Sequence, residues 1–500
     1  MNRMRAISVV CLWLVWLSAG STSAADPPNI VFILADDLGW SDLGCYGSTF
    51  HKTPHLDALA KRGLLFRQAY AANPLCSPTR ASILTGQYPA RLGITAPVCH
   101  QPEVRLKPSV VAKGRGNAKS LVALSANRLD TSYVTLAETL RGKGYATGHF
   151  GKWHLGREPY SAREQGFDVD VPHWFGPGPA GSYVAPWKFP PALNFQSPAG
   201  EHVEDRLAAE ATQFIRAHRD RPFYLNYWSF SVHAPLDAKE SLARHYQQSS
   251  DAAKPQRHAI YAAMIHSLDD AVGALVKALD ENGLTEKTLI VFFSDNGGVN
   301  WSGSKFAEGV PDDIVQTLTD VPTTSNAPLR GGKASIYEGG TREPCLVVWP
   351  GVVRAGQSSD AMIQSIDFYP TLAEIAGASL PTGQVMDGRS FLPVLLGKAT
   401  AHRDTIYGFF PHNTPASGQV PAASVRRGDW KLIRFFHDGP DQQDRHELYN
   451  LQSDAGESTD LAGQQPQRVA ELSALLDKFL KDTGALVPGP NPQWRAAAAE

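Results

Sequence analysis

Residues 29–35, Asn-Ile-Val-Phe-Ile-Leu-Ala, carry no charge and, after the first, no polar side chain. A run of strand length without alternation predicts a strand buried on both faces, and such a strand needs helices above and below its sheet. The unit recurs. Thr53-Pro54 opens a helix that Gly63 closes, with Leu56, Leu59 and Ala60 on one face. The patterning then predicts a helix over 132–141 and a strand over 145–150, a helix over 201–218 and a strand over 223–229, and a helix over 258–279 and a strand over 288–293. A short strand over 345–349 precedes a helix starting near Asp367. Repeated strand–helix units of this size imply an α/β architecture, a large, mostly parallel sheet covered by helices on both faces.

The last hundred residues change character. Strand-like pieces at Thr405–Phe410, 423–425 and 430–436 lead to His446-Glu-Leu-Tyr-Asn-Leu451. A helix over 466–481 then sets Val469, Leu472, Leu476 and Phe479 on one side. This reads as a smaller C-terminal antiparallel sheet with one packed helix, so the chain divides near residue 400 into a large unit, 26–400, and a small one, 401–500.

The first 25 residues have the form of an export signal. Arg3 and Arg5 precede an apolar run over 7–17, and Ser23-Ala24-Ala25 offers a small-residue cleavage site before Asp26. The run is too short to span a bilayer comfortably, and no later segment reads as long and apolar enough. The expectation is an exported protein, periplasmic or secreted, with no membrane anchor. A net charge of -2 over 500 residues gives no general attraction to nucleic acid, so no nucleic-acid partner is expected. Cleavage would leave Cys45, Cys76, Cys99 and Cys345, too few for a disulfide scaffold.

Chemistry-bearing residues cluster where strands end. Asp36-Asp37 follows the first strand, Lys152-Trp-His154 the strand ending at Phe150, His233 the strand ending near Ser229, and Asp295-Asn296 the strand ending at Phe293. In an open parallel sheet those ends share one edge, where ligands bind. Asp36, Asp37, Asp295 and Asn296 supply hard oxygen donors suited to calcium or magnesium. Taken singly, Asp36-Asp37 also suits a solvated loop, and Ser294-Asp-Asn-Gly-Gly298 a tight turn. The shared edge is what singles them out. Cys76 opens Cys76-Ser-Pro-Thr-Arg80, where Ser77 can cap and Pro78 begin a helix. A cysteine beside a helix N-terminus is expected to have a lowered thiol pKa, whereas composition alone favours a buried structural thiol. Gly176-Pro-Gly-Pro-Ala-Gly181 matches a dinucleotide-binding pattern formally, but its prolines and the lack of a following helix exclude that reading.

Cys76-x-Pro78-x-Arg80 with Leu84-Thr85-Gly86 resembles the signature of the type I, formylglycine-dependent sulfatases. So do 29–37, Gly151-Lys-Trp-His-Leu-Gly156, 294–298 and Leu329-Arg-Gly-Gly-Lys333 through Gly340. The resemblance runs from about residue 29 to 461. It implies that Cys76 is oxidised to formylglycine by a maturation enzyme, and that Asp36, Asp37, Asp295 and Asn296 bind calcium with an oxygen of modified Cys76. It further implies that Arg80 holds the formylglycine, Lys152 and Lys333 contact the sulfate, His154 orients or deprotonates the formylglycine diol, and His233 assists the departing alcohol. A hydrated aldehyde carries two hydroxyls on one carbon, so one can take the sulfuryl group and the other can expel it without water attacking sulfur.

The family includes carbohydrate and aryl sulfatases; export and two loops favour a sulfated carbohydrate. Segment 97–130 carries six Lys/Arg, among them Lys113, Arg115 and Lys119, and reads either as a solvated loop or as a polyanion guide. Segment 173–195 is rich in Pro, Gly and aromatics, which suits a sugar subsite or packing over the core. Two rival readings are a phosphodiesterase or phosphonate ester hydrolase of the related alkaline phosphatase superfamily, and a catalytically silent sulfated-glycan-binding protein.

Overall fold

The structure, a computed structural model, describes residues 27–114, 116–302, 307 and 309–496; the expected export signal and Arg115 lie outside the described residues. Its main sheet orders the strands Gln357–Ser359, Leu64–Tyr70, Arg342–Val348, Thr288–Ser294, Asn29–Ala35, Phe223–Trp228, Ala146–Gly151 and Val169–Val171, with Ile363–Gln364 also paired to Leu64–Tyr70. Asn29–Ala35 is central and parallel to both neighbours, with Ile33 opposite Tyr227 on one side and Phe292 on the other. Arg342–Val348 is antiparallel to both of its neighbours.

The central strand explains the two covering layers. Val31, Ile33 and Ala35 enter one core with the helices Pro54–Arg62, Val203–Ala217 and Ala259–Glu281. Ile30, Phe32 and Leu34 enter the other with Cys76–Thr85, Leu136–Gly142 and Phe368–Ile375. Successive side chains of a strand face opposite ways, so an unbroken apolar run feeds both cores. The helix expected over 132–141 begins later, because Thr135 caps it by accepting from the Glu138 amide while Glu138 receives the Thr135 amide. Leu64–Tyr70 was not anticipated: it follows the first helix directly at Gly63 with no turn sequence between.

Residues 405–450 form the expected small antiparallel sheet, Thr405–Phe410, Ala422–Arg427, Trp430–Phe435 and Arg445–Asn450 in that order. The helix Pro466–Thr483 packs against it through Leu472, Leu476 and Phe479. Ala259–Glu281 corrects one sequence reading, since by length and composition it is apolar enough to cross a bilayer. Its apolarity serves the core instead: 72% of that window is buried, and it packs on Pro54–Arg62 and Val203–Ala217. Cys45, Cys76, Cys99 and Cys345 are all free thiols.

Candidate active site at the carboxyl edge of the sheet

The polar residues flanking the strands meet at one edge. Beyond Ala35 the backbone ladder continues, with the Asp36 amide donating to Ser231 O at 2.9 Å and the Asp295 amide to Ala35 O at 3.1 Å. Gly151 lets the next strand approach, because a Cβ there would lie 2.0 Å from Trp228 O, and the Lys152 amide donates to that carbonyl at 2.7 Å. Lys333 arrives from a different direction. It lies upstream of the antiparallel strand Arg342–Val348, whose N-terminal end shares the edge with the carboxyl ends of the parallel strands. Gly297 makes the junction possible: a Cβ there would lie 1.9 Å from Gly339 O, and the Lys333 amide donates to Gly298 O at 3.1 Å.

Around Cys76 four buried oxygen-bearing side chains are interleaved with the buried cations Arg80 and Lys152 and the half-buried Lys333. Lys152 Nζ donates to Asp36 Oδ2 at 2.5 Å and Lys333 Nζ to Asp37 Oδ2 at 2.6 Å. Arg80 donates to Asp295 Oδ2 through Nε and Nη2, and to Lys152 O through Nη1 at 2.8 Å. Asn296 Nδ2 donates to Asp37 Oδ1 at 2.8 Å. Asp36, Cys76 and Asp295 offer ligand atoms within 4.8 Å of one another, as do Asp37, Cys76 and His233. Asp36 Oδ1 and Asn296 Oδ1 are buried without a hydrogen-bond partner. Orphaned buried oxygens on a set of carboxylate and amide donors fit a hard divalent cation.

Electrostatics drives the carboxyls apart. Burial, reinforced by Asp36, pushes Asp295 up to about 7 against the pull of Arg80. Burial also pushes Asp37 up, but Lys333, His233 and Lys152 outweigh it and hold Asp37 well below the usual carboxylate range. The expectation of a lowered Cys76 thiol is overturned: burial pushes it up to about 12 despite Lys152 and Lys333. The helix starts at Cys76 itself, with Leu75 in the cap position, and Ser77 does not cap it but donates to His154 O at 2.7 Å. An unmodified, buried, protonated thiol is a poor nucleophile.

His154 is buried with a positive φ of 53°, and burial together with Lys152 holds its imidazole well below the usual value. His233 stands at the rim, half-buried, with Nδ1 2.6 Å from Ala234 O and Nε2 3.8 Å from Asp37 Oδ2. Burial, then Lys333 and Lys152, lower it to about 3. All ten residues singled out in the sequence therefore meet here. His100 was missed; its Nδ1 lies 2.9 Å from His154 Nε2, and no motif marks it.

The two loops resolve differently. In 173–195, Tyr183, Trp187, Phe189 and Phe195 pack into the core and Tyr183 donates to His233 O at 2.8 Å, supporting the rim, while Trp174 and Phe175 stay partly exposed. In 97–130, Ser109–Gly114 and Leu121–Leu124 pair as an antiparallel hairpin, and Lys119 Nζ is drawn back to Asp438 O at 2.6 Å.

Fold and site together define an α/β enzyme that handles an anion at the carboxyl edge of its sheet, with buried cations beside a cluster of oxygen donors. The family described as Sulfatase matches residues 28–378, and that described as N-sulphoglucosamine sulphohydrolase, C-terminal, matches 332–484. The chain is 34% identical over 495 residues to arylsulfatase A of Homo sapiens, covering 90% of this chain and 86% of that one. It is 34% identical over 412 residues to N-acetylgalactosamine-6-sulfatase of Rattus norvegicus, covering 78% and 69%. The solved structure of Ps i-CgsB in complex with k-i-k-neocarrahexaose superposes with a TM-score of 0.72 at 27% identity, covering 95% and 96%. The chain belongs to the sulfatase family and is a sulfuric ester hydrolase.

Proposed function

We propose that this sulfatase removes sulfate from a sulfated carbohydrate, using a formylglycine made from Cys76 and a calcium ion held by Asp36, Asp37, Asp295 and Asn296. The observation that carries the reading is the placement of Cys76 at a helix start, where its sulfur belongs to two groups with ligand atoms within 4.8 Å of one another, one with Asp36 and Asp295 and one with Asp37 and His233. When present, the hydrated aldehyde supplies two hydroxyls on one carbon, and calcium supplies charge stabilisation for sulfate oxygens. The protein's own residues do the rest. Arg80, pinned to Asp295 and Lys152 O, fixes the nucleophile helix beside the donor cluster. Lys152 and Lys333 present ammonium groups to the sulfate oxygens, where preorganised charge is worth most. His154 orients and takes the proton of a formylglycine hydroxyl. The Nδ1 of His233 donates to Ala234 O, which leaves Nε2 facing the pocket, where it would assist the departing alcohol.

The carbohydrate assignment draws on the neocarrahexaose complex and on the N-acetylgalactosamine-6-sulfatase relative. We read 26–400 as the catalytic unit, 401–500 as the C-terminal subdomain, and 1–25 as the signal for export to a periplasmic or secreted location. A formylglycine-generating enzyme matures the protein. The test is a desulfation screen against defined sulfated oligosaccharides, run beside small aryl sulfates and phosphate diesters. Release of sulfate from an oligosaccharide with higher kcat/KM than from either small ester supports the reading; preference for the phosphate diester refutes it.

A further inference from the structure

We infer that His100 is a positioning residue that fixes the ring and tautomer of His154, leaving His154 Nδ1 as a bare proton acceptor. The inference rests on the proposed role of His154 and adds a residue to it. His100 Nδ1 and His154 Nε2 face each other at 2.9 Å, with the two rings inclined by 30°. Two nitrogens at that distance share one proton, so one ring donates and the other accepts. An imidazolium on either ring is opposed by burial and then by the neighbouring Lys152.

The two ends of the pair differ. His100 is exposed, so its Nε2 can carry a proton and donate to water, which makes its Nδ1 the acceptor. The proton between the rings then belongs to His154 Nε2, and His154 Nδ1 is unprotonated. That Nδ1 is buried and has no hydrogen-bond partner in the protein, as expected of a nitrogen reserved for a hydroxyl at the reacting centre. The His154 backbone is tied by Ser77 Oγ to the residue following Cys76.

His100 is itself held in place. The buried Arg128 guanidinium donates to Cys99 O at 3.0 Å and to Gln101 O at 2.5 Å, the carbonyls on either side of it. Cys99 is anchored in the core, and the Gln101 amide closes a turn onto Val98 O at 3.1 Å. An exposed histidine clamped at both neighbours, with its ring against a buried histidine, is built to orient it.

The experiment uses the matured protein and 4-nitrophenyl sulfate, a substrate too small to need distal contacts. His100→Leu removes the acceptor and is expected to lower kcat about 10- to 100-fold, at or below the low end of a full general acid–base contribution because His100 acts through His154, with KM little changed. His100→Asn returns an oxygen acceptor near the Nδ1 position and should recover most of the lost kcat. His154→Ala should cost at least as much as His100→Leu, and the double variant no more than His154→Ala alone, since His100 acts through His154. Unaltered kcat in His100→Leu, a change confined to KM, no rescue by His100→Asn, or multiplicative losses in the double variant would each overturn the inference while leaving the role of His154 intact. Normal turnover in His154→Ala would overturn both. Thermal midpoints of all variants, measured in parallel, separate misfolding from loss of positioning, and the Asn-against-Leu comparison remains decisive if Leu alone is unstable.

Discussion

Arg80 meets Asp295 with two hydrogen bonds to one carboxylate oxygen, Nε at 2.9 Å and Nη2 at 2.7 Å, and both side chains are fully buried. This pair joins the helix Cys76–Thr85 to the loop after strand Thr288–Ser294, and the guanidinium also lies 5.3 Å over the Trp228 ring. Removing one member of a buried pair strands the other charge. In metal-free protein, Arg80→Met should therefore lower the unfolding free energy by about 3–5 kcal/mol, read from denaturant titration. An unchanged midpoint would show that the pair does not hold the helix.

Gly297 is a packing requirement rather than a catalytic one. Its hydrogen faces Gly339 O where a methyl has no room, so Gly297→Ala must push the Lys333 loop away from Asp37. We expect about 100-fold lower kcat/KM, the scale of a 1 Å misplacement, with a stability loss of about 1–3 kcal/mol. Wild-type kinetics in this variant would show that the loop accommodates the methyl without moving Lys333.

His173 sits between Asp170, 2.7 Å from Nδ1, and Glu158. The hydrogen bond to Asp170, outweighing burial, raises its pKa above 6.5. A raised folded-state value means folding favours the protonated ring. The stabilisation is fully present below 6.5 and is lost as pH rises through the folded value. His173→Asn should flatten this part of the profile, so the wild-type advantage in thermal midpoint shrinks as pH rises above 6.5 through the raised folded-state value. Parallel profiles would remove His173 as the cause.

Metal dependence follows from the donor set. Chelation should abolish turnover and lower the thermal midpoint, and calcium should restore both, because a ligand bound only by the folded state stabilises it. Asp295→Ala should lose metal and activity together. Normal metal content with normal turnover in that variant would refute the assignment.

The legible part of this molecule was what period and position encode. The run Asn29–Ala35 announced a twice-covered strand, and Asp36-Asp37 behind it marked the working edge before any geometry was known. Lys333 was found by motif alone, because its place depends on Arg342–Val348 running antiparallel, and strand direction leaves no mark in that sequence. Ser77 was misread as a cap since its hydroxyl has a tertiary partner, His154 O, which local propensity cannot see. For the Cys76 thiol the helix start and a buried setting were both legible, but not that burial outweighs the helix start and the nearby lysines. His100 gave no signal at all. It lies in a segment read by its charge, and only the approach of Cys99 to the core and the clamp by Arg128 bring its ring to His154.

The most direct test is the chemical state of residue 76 in protein purified in active form. Peptide mass spectrometry after aldehyde-specific derivatisation should find formylglycine in place of cysteine, in a fraction that rises with specific activity across preparations. Cys76→Ala should show neither the derivative nor turnover. Fully active protein in which residue 76 is entirely unmodified cysteine would contradict the account.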